Sequence, residues 1–178
     1  MSFGKTNNEE HYSTRQNFRT FHTEKDIRIS FIEFKSIEEL GSEDAQLVRE
    51  AIAAMEGSFA PYSHFNVGAA IRLDSGKIVK GANQENAAYP SGMCAERSAM
   101  FAASSQFPND PMCSIAIAGG LNGELAPDPV SPCGACRQVM AQYQRNAGHP
   151  ITVIWVGAGR IWKFPNVESI LPFIFDNI

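Results

Sequence analysis

The sequence predicts an α/β fold: a three-layer α/β/α sandwich around a mixed sheet of about five strands. Three observations predict it. Helical and strand periodicities alternate along the chain in the order helix, strand, strand, helix, strand, helix, strand, strand, helix. The 178 residues are enough for one core and few for two. Hydrophobic residues make up 44%, normal for a globular interior, and no apolar run reaches the roughly 18 residues of a membrane span.

The elements follow in order. Residues 1 to about 24 are polar and aperiodic and read as a flexible lead-in. Ile27 to Phe34 is rich in Ile and Phe and reads as a strand whose place in the sheet the pattern leaves open. Ser42 can cap a helix running to about Glu56, with Leu47, Val48, Ala51, Ile52 and Met55 on one face and Gly57 as its stop. Phe65, Val67, Ala69, Ile71 and Leu73 alternate as a strand. Asp74-Ser75-Gly76 turns the chain, and Lys77 to Ala82 returns as the second strand of a hairpin. Cys94 to about Gln106 is a helix, and Cys113 to Ala118 a buried strand. Leu121 to Ser131 is a Pro-, Gly- and Asp-rich loop. Pro132 precedes a helix from Cys133 to about Gln144. Ile151 to Val156 and Arg160 to Phe164 are the last strands, and Asn166 can cap a final short helix limited by Pro172.

Cysteines open two of these helices. Cys94-Ala95-Glu96-Arg97 begins the first, and Pro132-Cys133-Gly134-Ala135-Cys136-Arg137 begins the second. Free amides and the helix dipole at an N-terminus favour thiolate. Two helices aimed at one point would bring three thiolates together. Three protein ligands with a position left for water is the pattern of a catalytic zinc site, whereas a closed structural site usually has a fourth protein ligand. Three thiolates leave zinc formally negative, which weakens it as a Lewis acid. The Arg97 guanidinium, next to Glu96, is placed to draw charge from the sulfurs. Glu96 stands two residues beyond Cys94, where a carboxylate can take a proton from water and pass it on.

Cys-x-Glu followed by Pro-Cys-x-x-Cys resembles the zinc deaminases, in which the Glu carries protons and is not a ligand. The chain resembles the cytidine deaminases of the small, three-cysteine, homotetrameric type over roughly residues 42 to 176. The blocks that carry the likeness are APYSHFNVGAA at 60–70, NQENAAYPSGMCAERSA at 83–99 and VSPCGACRQ at 130–138. The resemblance implies a cytidine deaminase-like fold and one zinc per subunit on Cys94, Cys133 and Cys136. It implies Glu96 as the proton carrier in hydrolytic deamination of free cytidine and deoxycytidine to uridine and deoxyuridine, a pyrimidine salvage reaction. It further implies that Asn83 and Glu85 hold ribose hydroxyls, that Phe65 lines the base pocket, and that Ala95 offers backbone groups to the base. A phenylalanine near the C-terminus is implied to reach a neighbouring subunit's site. LPFIF offers Phe173 or Phe175, and its spacing from Leu171-Pro172 favours Phe175. Two segments depart from the pattern. The lead-in before about residue 40 is longer than usual, which divides the chain into an extension at 1–40, partly flexible, and a single catalytic domain at 41–178. NGELAPDP at 122–129 is also long, which puts substrate range in question.

Each residue also has a plainer reading. Cys133 and Cys136 alone would suit a redox pair or half of a structural zinc site. Cys113 reads as a buried core thiol, and His64 as a structural hydrogen-bonder. Phe65 fits the core as well as a pocket. Asn83 and Glu85 fit a turn and a helix entry. Arg137 fits an exposed helix face or a subunit contact. A related aminopyrimidine nucleoside such as blasticidin S is the alternative substrate. A nucleic-acid-editing deaminase is opposed by the net charge of -4 and the lack of Lys/Arg clusters. A zinc-stabilised interaction domain is the non-enzymatic alternative. The N-terminal residues lack an apolar stretch, so no secretory leader is expected. The expected setting is therefore cytoplasmic, with reduced cysteines, a small-molecule nucleoside as partner, and neither nucleic acid nor membrane.

Overall fold

The computed structural model describes residues 24–176. Among the described residues, nine strands and α-helices alternate much as the periodicities predict: β1 (Ile32–Phe34), α1 (Ser42–Ala54), β2 (Phe65–Leu73), β3 (Ile78–Ala82), α2 (Ala95–Gln106), β4 (Met112–Leu121), α3 (Gly134–Ala147), β5 (Thr152–Val156) and β6 (Ile161–Phe164). They form one six-stranded sheet in the order β1-β6-β5-β4-β2-β3. The β4–β5 pair is parallel and the other neighbours are antiparallel. The sheet is mixed and three-layered, with one strand more than the expected five or so.

Alternation along the strands builds the two faces. Ile115 and Ile117 of β4, Val153 of β5 and Ile71 of β2 point toward α2 and α3, where Met100 and Met140 meet them. Ala70, Ala116, Ala118 and Ile154 point the other way, against Leu47, Val48 and Ala51 of α1. Small residues on that second face let α1 lie close to the sheet.

The extra strand is β1. It pairs antiparallel with β6 in the register Ile32↔Lys163, Glu33↔Trp162 and Phe34↔Ile161. Phe31 packs on Trp162 and Phe164 at ring distances of 5.0 and 5.2 Å, and the Trp162 indole N–H donates to Glu33 at 2.7 Å. Leu40 is buried against α1. Within the stretch that the sequence read as an extension, Ile32–Phe34 thus pair with the sheet and Leu40 joins the core under α1. Of the lead-in expected at residues 1 to about 24, residues 1–23 lie outside the described residues.

The final helix expected after Asn166 does not form. Asn166 Oδ1 accepts the Ser169 amide and hydroxyl at 2.9 and 2.7 Å, and Val167 O accepts the amides of Ile170 and Leu171. Those bonds close one turn, and no helix continues from it. Among the described residues, no helix is long and apolar enough to cross a membrane.

The topology explains where a site can be built. β3 and β4 are both antiparallel to β2, so they run parallel to each other. Each is followed by a loop and a helix on the same face. Both α2 and α3 therefore begin beyond the carboxyl ends of parallel strands, the edge at which open α/β sheets bind ligands.

Candidate metal centre

Cys94 is the N-cap of α2, Cys133 is the N-cap of α3, and Cys136 lies in the first turn of α3. The two caps sit one residue before the helices that the pattern expected them to open. Their sulfurs converge: Cys94 to Cys133 is 4.0 Å, Cys133 to Cys136 is 3.5 Å, and all three lie within 4.8 Å of one another. A tetrahedral zinc with Zn–S bonds of about 2.3 Å sets its sulfurs about 3.8 Å apart. The donor set and its spacing therefore fit one zinc ion. Cys136 is buried, Cys94 half-buried and Cys133 exposed, so one side of the cluster meets solvent.

The electrostatics favour a thiolate. A hydrogen bond from the Cys136 thiol, together with the Arg97 guanidinium, pulls Cys94 down to about 5. The same hydrogen bond, and then burial, push the Cys136 thiol up. Arg97 Nη2 stands 3.6 Å from Cys94 Sγ, and its Nε is buried without a partner among the described residues. Glu96 is only 4% exposed. Burial, and after it the Cys94 charge, raise its carboxyl above the usual carboxylate range.

Asn83 and Glu85 stand beside the cluster in the segment between β3 and α2. Cys94, Asn83 and Glu85 line a cleft of about 530 Å³ with Tyr62, Ser63 and Tyr89. Backbone pairing holds this segment on both sides. Phe59 N donates to Asn83 O and Glu85 N to Phe59 O, while Gln84 and Met93 exchange two bonds. The side chains are also engaged. Asn83 Oδ1 accepts Ser58 Oγ and the Val67 amide, and its Nδ2 donates to Phe65 O. Glu85 accepts the amides of Tyr62 and Ser63 and the Ser63 hydroxyl, which lower its pKa, the hydroxyl most.

The other sequence-predicted residues fall as follows. Phe65, the first residue of β2, is half-buried over Gly119 and outside the lining of that cleft. Ala95 is fully buried at the start of α2. Phe173 and Phe175 are 83% and 71% exposed. The Phe175 backbone is held by Gln138, which donates to its carbonyl and accepts its amide. Cys113 lies apart from the cluster and is half-buried, with its thiol donating to Arg72 O at 3.4 Å. His64 supplies no atom to the cluster. It adopts a left-handed conformation (φ 57°), with its amide bonded to Ala60 O and its carbonyl to Asn122 N. Arg137, left open by the sequence, is half-buried and holds the carbonyls of Pro132 and Ile170 at 2.9 Å each.

Sequence reasoning missed Tyr62, Ser63 and Tyr89 as cleft residues. They lie inside the blocks that carried the resemblance, and the signal was two aromatic side chains in Pro-rich turns. Their rings meet edge-on at 6.0 Å and are largely exposed.

The comparisons with known proteins agree with this geometry. Residues 41–148 match the family model described as the cytidine and deoxycytidylate deaminase zinc-binding region. The chain is 47% identical over 96 residues to a cytidine deaminase of Halalkalibacterium halodurans, covering 54% of this chain and 68% of that protein. It is 40% identical over 116 residues to a probable cytidine deaminase of Dictyostelium discoideum, covering 65% and 72%. Among solved structures, a cytidine deaminase from Burkholderia pseudomallei superposes with a TM-score of 0.63 at 36% identity, covering 73% of this chain and 97% of the other. One from Mycobacterium tuberculosis gives 0.59 at 30% identity, covering 74% and 95%.

Proposed function

The chain belongs to the cytidine and deoxycytidylate deaminase family, and we propose that it hydrolytically deaminates free cytidine and deoxycytidine to uridine and deoxyuridine. The observation that carries this reading is a buried Glu96 carboxyl beside three converging thiols whose spacing fits one zinc ion. A zinc ion held by Cys94, Cys133 and Cys136, one per subunit, would supply Lewis acidity that brings the pKa of a water toward neutrality.

Glu96 takes a proton from the attacking water and delivers it to N3 of the pyrimidine as C4 gains the oxygen. It then carries a proton to the departing amine, so that water and cytidine become uridine and ammonia. Burial keeps bulk water from competing for that proton. Arg97 offsets the charge of the thiolates through its contact with Cys94. Phe65 shapes the base pocket, and Ala95 presents backbone groups to the base.

Hydrogen-bond capacity supports the sugar assignment. A carboxylate offers about four acceptor sites and an amide two N–H donors. After the bonds already made, Glu85 keeps one acceptor on Oε1 and Asn83 keeps one N–H. One of each suits a single hydroxyl, which both donates and accepts. If that hydroxyl is the 3′, which both sugars carry, the site takes the ribo- and the deoxynucleoside alike.

Assembly as a homotetramer, with Phe175 entering a neighbour's cleft, is supported by a side chain left exposed on a pinned backbone. The assigned setting is cytoplasmic pyrimidine salvage, by one catalytic unit at 41–178 preceded by an extension at 1–40 whose last residues join the sheet of that unit.

The test is the ultraviolet change of cytidine on adding protein, with Glu96→Gln alongside. Wild type should convert cytidine to uridine, while the variant should keep its zinc and lose at least about a hundredfold in kcat. Bound zinc without turnover by wild type would overturn the substrate assignment.

A further inference from the structure

Ser63 lies in the turn between α1 and β2, and nothing in the proposed chemistry uses it. Its hydroxyl donates to Glu85 Oε1 at 2.5 Å and accepts the Phe65 amide at 3.0 Å. One oxygen thus joins two residues given substrate roles. Glu85 Oε2 is held by two backbone amides, those of Tyr62 and Ser63. Oε1, the oxygen with acceptor capacity to spare, has one fixed partner among the described residues, and that partner is Ser63. A half-exposed carboxylate secured at a single oxygen can swing about the bond to its remaining donors. Secured at both, it offers its last lone pair in one direction. Charge-assisted bonds of this kind are short and directional, and a small error in the placement of a binding group is costly.

We propose that Ser63 is the positioning residue for nucleoside sugar recognition: its hydroxyl fixes Glu85 Oε1 and the start of β2 in one geometry, and, resting on the deaminase reading above, this sets affinity for the sugar hydroxyl and not the rate of the chemical step. The same contact ties the aromatic side of the cleft, through Tyr62, to the segment that leads into Cys94.

The experiment uses the full, zinc-loaded chain with cytidine and with 2′,3′-dideoxycytidine, which lacks both sugar hydroxyls of the ring edge. Ser63→Ala should raise KM for cytidine about tenfold and leave kcat within about twofold, the signature of lost binding shared by ground and transition states. The same variant should leave the KM of the dideoxynucleoside, or its Ki as a competitor, within about twofold. Ser63→Thr, which keeps the hydroxyl, should restore cytidine KM. In a Glu85→Gln background, Ser63→Ala should add nothing. Should the alanine variant not fold, Ser63→Cys replaces it, with a weak donor of similar size and a smaller rise in KM for cytidine alone. An unchanged cytidine KM, an equal penalty on both nucleosides, or full additivity with Glu85→Gln would overturn the positioning role while leaving the deaminase reading intact. A wild-type chain that ignores cytidine altogether would overturn both.

Discussion

Arg97 follows Glu96, the proposed proton carrier, in sequence but turns back onto the sulfur of Cys94. A guanidinium there lowers the net charge felt by a metal on three thiolates, and glutamine keeps some hydrogen bonding without the charge. Arg97→Gln should therefore release zinc to a chelator about 10- to 100-fold faster and lower kcat; unchanged zinc retention and turnover would refute that role. Residues of this kind were legible in the sequence because their chemistry is rare and local. Cysteines at two helix starts, with a Glu and an Arg in the first turn of one of them, leave few alternatives. Ser63 and Tyr62 were not legible as a pair with Glu85. Their contact joins segments some 22 residues apart, and serine in a turn is ordinary. Asn83 shows the opposite limit, for its side chain also serves the structural role of a turn residue, holding Ser58, Phe65 and Val67 together.

The helices owe their positions to what the strands leave out. A Cβ on Gly81 of β3 would stand 2.4 Å from the Ala99 amide nitrogen and 2.8 Å from Ala95 O. Only glycine lets α2, with Cys94 at its head, lie this close to the sheet. Backbone cannot yield as a flexible side chain can, so Gly81→Ala should cost about 1–3 kcal/mol, at roughly 2–4 °C of Tm per kcal/mol for a chain of this size. Because α2 would be displaced relative to α3, zinc retention should fall as well. Gly41→Ala, whose added methyl meets nothing within 4 Å, is the control. A Gly81→Ala protein with wild-type Tm would show that α2 can shift freely. Element types were readable from periodicity, since α1 to α3 and β2 to β5 each carry an apolar face. The partner of β1 was not. Three residues with two exposed give no register, and β6 lies more than 120 residues away in sequence. The short segment after Asn166 failed for a related reason: a good cap was visible, but the turn it closes has no apolar stripe long enough to continue as a helix.

Over the whole molecule, distant segments are fastened at a few charged points and, on the reading above, by one metal. His149, beyond α3, donates from Nε2 to the Asp74 carboxylate in the β2–β3 turn at 3.2 Å. The Pro150 carbonyl first, and then Asp74, raise the His149 pKa above its usual value. A raised histidine stabilises the fold fully below its unfolded pKa of about 6.5 and loses that contribution as pH rises through the folded value. Both side chains are largely hydrated, so His149→Gln should cost at most about 0.5 kcal/mol at pH 5.5 and nothing measurable at pH 8.5; an equal Tm loss at both pH values would exclude the ion pair as its cause. The metal is the larger fastening. Its three candidate ligands come from the heads of α2 and α3, which otherwise meet through a few core side chains such as Met100 and Met140. An ion that binds the folded chain and not the unfolded one adds about 2.7 kcal/mol at a hundredfold excess over Kd. Stripping zinc with a strong chelator should lower Tm by more than about 5 °C at this chain length, and added zinc should restore it. The Glu96→Gln protein should show the same drop and recovery, because Glu96 supplies no ligand atom to the cluster. Loss of that response in Cys136→Ala, with its persistence in Glu96→Gln, would separate the residues that hold the ion from the one that moves the proton. A Tm indifferent to chelation in every variant would mean that packing alone sets the two helices and that the thiols do not retain zinc.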